Sequence, residues 1–398
     1  MKLIINKSLM VRLTFVMICL VAIVYGVYIL DMPYSMYIFL QIIRILLFIC
    51  VLISLIFTRV FIDKNTLSVM AFASFDLIRS MLEDGDILHQ ILTIMTWPMI
   101  YTLFYSYTMV ALKKTDEYTR ETEKFKKILA AFIIVMAVVS IPLIQRNLSG
   151  QGRAGELIFP VYFFLTAMSM VIMFFPKKNL FWVVPCIMIM FTTKRAGLLV
   201  IVCGLFLSQI AEYHMAKTLK KKWKKMLTIA AISVAAVIAM VFLVQTFNLN
   251  ILQRFMEISE DGGSGRIQIW DRVYLSYSSG SIFERLFGQG YQSVTRLMLT
   301  GRAILAHNDY LEILHDYGII GLVLFSIWLF QVLSNFVKMW YRRDRFLPSY
   351  CYTLSAMILL SVLSYFFIQS YLINFTACYL GIVMALSTNN KKFNLSII

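Results

Sequence analysis

The sequence predicts an all-α polytopic membrane protein of about twelve spans, and three observations carry that prediction. Sixty per cent of its 398 residues are hydrophobic and only 15% are charged. The mean hydropathy of +0.78 is far above what a water-facing surface tolerates, which excludes a soluble fold. Second, apolar runs of roughly the 20 residues needed to cross a hydrocarbon core begin near positions 13, 36, 66, 88, 127, 157, 179, 197, 227, 319, 349 and 371. Third, the basic residues alternate between the segments joining these runs, as the positive-inside rule requires.

The first run follows Lys2, Lys7 and Arg12 as a signal peptide would. It continues to Leu30 and meets Asp31-Met32-Pro33 without a small-x-small cleavage site, so it reads as an uncleaved span. With both termini in the cytoplasm, cytoplasmic segments hold 25 of the 37 Lys and Arg. The outer loops after the first and third spans carry Asp31 and Glu83-Asp84-Gly85-Asp86 instead. The net charge of +16 therefore reports topology and anionic lipid, and no nucleic-acid partner is expected. All six cysteines fall inside apolar runs, where they read as packing residues.

Loops are short except between the ninth and tenth spans. The chain divides accordingly into spans at 1–245, an outer loop at 246–318 and further spans at 319–398. Within the loop, Ile251–Ile258 and Arg266–Tyr277 have helical periodicity, the second with Ile269, Trp270, Val273 and Tyr277 on one face. Turns fall at Asp261-Gly262-Gly263-Ser264-Gly265 and Phe287-Gly288-Gln289-Gly290. Amphipathic helices on the bilayer surface are expected. No internal repeat is visible, which speaks against an inverted-repeat transporter.

The chemistry is expected on the outer face, because arginines there run against the topological bias and need a partner or water. Arg195 lies in the minimal turn Thr192-Thr193-Lys194-Arg195-Ala196-Gly197. It reads either as a snorkelling helix anchor or as a cation held at the outer interface. Arg266 follows a glycine-rich turn and opens a helix that Ser264 could cap. Free backbone amides and a fork-shaped cation then meet in an anion site; an ordinary solvated arginine is the alternative. His307 begins Ala306-His307-Asn308-Asp309-Tyr310-Leu311, the start of a short interfacial helix that breaks at Gly318. An imidazole there serves as a neutral base or is merely structural. Asp76 and Arg79, one turn apart, are spaced to pair: they fix helix packing or form a wall of the anion site. His315 and His89 read as structural. There is no P-loop, CxxC or HExxH, so no metal site is expected.

Taken together, Thr193-Lys194-Arg195-Ala196-Gly197, Ser264-Gly265-Arg266 with Trp270, Phe287-Gly288-Gln289-Gly290 and the stretch from His307 through Gly321 resemble the O-antigen polymerase and ligase family of bacterial envelope proteins. The resemblance runs over roughly 185–324 and is weak across the first 170 residues. It implies a GT-C-like helical fold in the bacterial inner or plasma membrane. It also implies glycan transfer from undecaprenyl pyrophosphate to a glycan acceptor on the outer face, without cofactor or metal. Under it, Arg195 and Arg266 stabilise the pyrophosphate leaving group, and His307 accepts the acceptor hydroxyl's proton in an inverting displacement. Arg79, Asp76 and Asn308 are then expected to contact substrate. Trp270, Tyr274 and Tyr291 either stack on sugar rings or anchor the membrane interface.

Two family reactions compete. Polymerases join one lipid-linked repeat unit to another; ligases move the finished glycan to lipid A core. The forms Gly265-Arg266 with Trp270 and His307-Asn308-Asp309-Tyr310-Leu311 with Tyr317-Gly318 look more like the polymerases. Protein O-oligosaccharyltransferases come third, since nothing points to a protein acceptor. Partners implied are the lipid-linked donor, the acceptor glycan and membrane lipids, with a chain-length regulator left open. A glycolipid transporter is a reading of another class; it requires polar residues along the spans, where only Arg44 and Asp76/Arg79 are charged.

Overall fold

The computed structural model describes residues 7–31, 34–82, 87–113, 115–149, 158–175, 181–191, 194–227, 265–297, 305–367 and 370–389, with the isolated helical positions 230, 241 and 245. Among the described residues the fold is all-helical, with no strand. The helices are α1 (Lys7–Asp31), α2 (Tyr34–Phe57), α3 (Lys64–Met81), α4 (Ile87–Gln90), α5 (Thr96–Ala111), α6 (Thr115–Leu148), α7 (Ile158–Phe174), α8 (Val183–Phe191) and α9 (Arg195–Met215). After them come α10 (Arg266–Ser279), α11 (Ile282–Phe287), α12 (Asp309–Arg342), α13 (Leu347–Leu363) and α14 (Ser370–Asn389). Among the described residues five stretches are long and apolar enough to cross a membrane: Lys7–Ile29, Tyr34–Phe57, Tyr118–Arg146, Ala196–Met215 and Asp309–Arg342. Shorter apolar helices cover Val161–Phe174, Leu347–Leu363 and Leu372–Thr388. The run expected from 227 and the helix expected at 251–258 lie outside the described residues.

Most of the helices share one large core, with smaller apolar clusters beside it. α5 lies along α14 and α9 along α13, while α1 contacts α2 and α6, and α3 contacts α12. Gly381 lets α5 and α14 approach closely, since a Cβ there would stand 2.6 Å from the Tyr101 carbonyl oxygen; helices in lipid associate through such small residues because no hydrophobic drive separates lipid from leucine. A π-helical turn at Ile91–Met95 joins α4 to α5. In it Thr93 Oγ1 accepts from the Arg44 guanidinium at 2.8 Å, and Gln41 Oε1 accepts at 3.0 Å, so the arginine buried within α2 has polar partners.

Contacts between helix ends give the bundle two distinct poles. At one, Tyr107 donates to Ser8 (3.1 Å) and Tyr101 to Asp63 (3.0 Å), and Arg12 pairs with Glu121 (3.1 Å). There too His214 stacks on Trp340 and Ser387 donates to Asp344 at 2.8 Å. These residues come from, or border, the segments that the charge pattern groups together. The opposite pole carries α10, α11, the loop from Gly288 and the start of α12.

That pole is tied to the bundle by backbone contacts that only glycine permits. α12 is interrupted at Gly318, with φ 66 and ψ −166. Gln289 N–H donates to the His315 carbonyl and Gly290 N–H to that of Asp316, both at 2.9 Å. Gly288 sits at φ 79, where a Cβ would stand 2.1 Å from the Asp316 carbonyl oxygen; a Cβ on Gly318 would stand 2.4 Å from that of Leu286. The two glycine motifs thus meet each other, backbone on backbone. Gly288→Ala is expected to cost about 2–5 kcal/mol from left-handed strain plus overpacking, read as a fall in the thermal midpoint of the detergent-solubilised protein.

Arg79 supplies the second tie. Its Nε donates to the Phe287 carbonyl at 3.1 Å and its Nη2 to that of Gly288 at 2.8 Å, with the guanidinium 5.8 Å from the Phe283 ring. Arg79→Ala leaves those carbonyls without their charged donor. A loss of about 2–4 kcal/mol is expected, together with faster proteolysis in the α11–Gly290 segment.

Candidate active site

The site is built around Ala306, whose two backbone groups are both held by side chains. Its N–H donates to Glu312 Oε2 at 2.7 Å, and its carbonyl accepts from the Trp270 indole at 2.9 Å. Ala306 is fully buried in a small core with Ile269, Val273 and Val294, against which Trp270, Leu297 and Leu311 pack. The expected apolar face of Arg266–Tyr277 therefore spends Ile269 and Val273 on the loop's own core rather than on lipid.

His307 follows at φ 54, left-handed backbone that few non-glycine residues adopt. Such a conformation costs about 1–3 kcal/mol and persists only where surroundings over-determine it. Here Ala306 is fixed on one side. On the other, Asn308 Oδ1 caps α12, accepting from Tyr310 N–H at 3.0 Å and Leu311 N–H at 3.2 Å. Asp309 fixes the helix start against the bundle, its Oδ2 accepting from the N–H groups of Phe366 (2.8 Å) and Phe367 (3.0 Å). The His307 ring stacks on Tyr365, centroids 5.3 Å apart. Its Nδ1 is buried without a hydrogen-bond partner among the described residues, which leaves Nε2 as the nitrogen available to a ligand.

Burial, then the charges of Arg266 and Lys194, push the His307 pKa down to about 4, so the imidazole is neutral at physiological pH. Arg266 also acts electrostatically on Tyr162, whose hydroxyl donates to Ser364 at 2.6 Å. One histidine and two cations thus come together from three separate parts of the chain: the α8–α9 turn, the start of α10 and the loop before α12. Arg266 follows Gly265, which adopts φ 74; Ser264, the expected cap, lies outside the described residues. Arg195 opens α9 after an extended Lys194, but its side chain, like Thr192 and Thr193, lies outside the description.

The remaining expected residues sort differently. Asp76 is buried beside Tyr317, and Arg79 grips the outer-loop backbone, so this pair stands where the loop docks on α3. Tyr291 is 8% exposed within the main core, with its hydroxyl accepting from Gln292; its ring has no free face for a sugar, which corrects the stacking expectation. Trp270 spends its indole N–H on Ala306. Tyr274 is 57% exposed and open to stack. His315 is held at both ring nitrogens, by Ser293 at 2.6 Å and Ser276 at 3.1 Å.

Sequence reading missed Lys194 as a partner of His307, and missed Glu312 and Tyr365 altogether. Tyr365 could not be paired with His307 from sequence, because a contact over that separation leaves no local pattern. Glu312 had a weak signal, an acidic residue on the first turn of a helix whose neighbours are apolar.

An all-helical bundle with helices long and apolar enough to cross a membrane, presenting a neutral histidine at φ 54 beside two cations at one pole, is the class of protein defined here. Residues 180–326 match the family model described as O-Antigen ligase. The match supports a relation to the O-antigen polymerase and ligase family over this segment of the chain. The segment contains Lys194, Arg195, Arg266, His307 and Glu312. Comparison with curated proteins gives no match.

Proposed function

We propose that this chain is a polymerase of lipid-linked oligosaccharide repeat units, for O-antigen or capsule. It transfers a growing glycan from undecaprenyl pyrophosphate to a sugar hydroxyl of another lipid-linked unit. The observation that carries this reading is His307, neutral, held at φ 54 and flanked by Arg266 and Lys194. The acceptor oxygen attacks the anomeric carbon as the bond to the pyrophosphate oxygen breaks, with inversion. The hydroxyl proton goes to His307 Nε2, and undecaprenyl pyrophosphate leaves as the anion. Arg266, Lys194 and Arg195 meet the charge that develops on that leaving group, the work a metal does elsewhere.

The same charges explain how so weak a base serves. A pyrophosphate set between His307's cationic neighbours offsets their field, and the imidazole's basicity rises when the donor is in place. Asn308, through its amide nitrogen, and Tyr274 extend the site toward the sugars; Arg79 and Asp76 act on it through the docked loop. The reading also places twelve spans in a GT-C-like arrangement, with 1–245 and 319–398 in the membrane, 246–318 on the outer face and both termini cytoplasmic. In support, Arg12 with Glu121 and His214 with Trp340 join segments that the basic residues assign to the cytoplasm. A chain-length regulator is a compatible partner.

The family description favours a second reading, ligation of the finished glycan to lipid A core. Purified protein with synthetic undecaprenyl-pyrophosphate repeat unit as the only substrate, and EDTA present, separates the two. A product ladder establishes polymerisation. Transfer that appears only on adding lipid A core establishes ligation, and no transfer to either acceptor rejects both.

A further inference from the structure

We infer that Glu312 is a positioning residue of this site: by holding the Ala306 peptide it fixes where the His307 imidazole stands. The inference rests on the proposed role of His307. Glu312 lies on the first turn of α12, its N–H donating to the Asn308 carbonyl at 3.0 Å, and its side chain is almost wholly buried, the residue being 1% exposed. Burying a carboxyl group is costly unless its oxygens are satisfied, and a leucine would fill this place without that cost. Yet Oε2 meets the Ala306 N–H at 2.7 Å, and Oε1 has no hydrogen-bond partner among the described residues. The carboxyl is spent on one backbone donor.

That donor belongs to the residue immediately before the strained histidine. With the Trp270 indole on the Ala306 carbonyl, the peptide is clamped from α12 on one side and α10 on the other. α12 is itself fixed to the bundle by Asp309 on Phe366 and Phe367. The imidazole is thus referenced to the rigid bundle rather than to a surface loop, which is what a base needing placement to a fraction of an ångström requires. Glutamine keeps an acceptor for Ala306; leucine keeps the volume and loses it.

The test compares Glu312→Gln, Glu312→Leu and Trp270→Phe in the reconstituted transfer assay, with 13C-labelled histidine followed by NMR over pH in the full-length protein. The four histidines make the spectrum assignable by the signal lost in His307→Gln. The expected result for Glu312→Leu is a kcat lower by about 10–100-fold, as for a misplaced catalytic group, with KM for the lipid donor unchanged. The His307 titration should move from about 4 toward the ordinary 6.5 as the ring leaves its burial. Glu312→Gln should restore most of the lost kcat, and Trp270→Phe should repeat the leucine effect in weaker form. If Glu312→Leu fails to fold, the glutamine and phenylalanine variants decide alone. Glu312→Gln as inactive as His307→Ala overturns positioning in favour of direct participation; wild-type kcat and titration in folded Glu312→Leu and in Trp270→Phe overturn the inference outright. Full transfer by His307→Ala is a different failure, that of the site itself.

Discussion

His307→Ala is expected to lower kcat by about 10²–10⁴, the range a positioned general base contributes, while the protein stays folded and still binds its lipid donor. The imidazole makes no hydrogen bond to the described residues, so its loss removes little beyond a stack on Tyr365. The pH profile gives an independent check. A base works only when deprotonated, and in the free enzyme His307 protonates near 4. The profile of kcat/KM should therefore be flat from about pH 8 to pH 5, with an acid limb well below 6.5. A limb at 6.5 would assign the base to a solvated histidine, and undiminished kcat in His307→Ala would remove this residue from the mechanism.

Arg266→Gln is the second large effect. Losing one preorganised positive donor to a developing anion costs about 10²–10³ in rate. The same substitution removes a charge that holds the His307 pKa down, so the acid limb must move upward, toward 6.5. A rate loss with no movement of the limb would separate Arg266 from His307; movement with no rate loss would leave Arg266 an electrostatic neighbour that never meets the leaving group. Lys194→Gln should shift the limb in the same direction by less, as the lesser of the two charges.

The sequence and the structure divide the explanation of this site by the range of the forces involved. Gly288 and Gly318 were visible as turn and helix-break signals, because a left-handed residue demands glycine wherever it occurs. That they face each other could not be read from spacing. Asp76 and Arg79 were visible as an i, i+3 pair, but the carbonyls that Arg79 grips at Phe287 and Gly288 lie over 200 residues away. Tyr291 and Trp270 looked alike as outer-loop aromatics, and only packing shows the first sealed in the core and the second spending its N–H on Ala306.

By itself the sequence determined the solvent, the helical class and the grouping of helix ends, because partition into lipid and the placement of basic charge act residue by residue along the chain. It also singled out Arg195, Arg266 and His307 as candidates, since an arginine or histidine set against the topological bias stands out singly. Only the tertiary structure decided that Lys194 joins Arg266 beside His307, that Ala306 is clamped by Glu312 and Trp270, and that Tyr365 backs the ring. Those relations depend on how distant helices pack, and packing is a property of surfaces brought together, not of any one segment's composition.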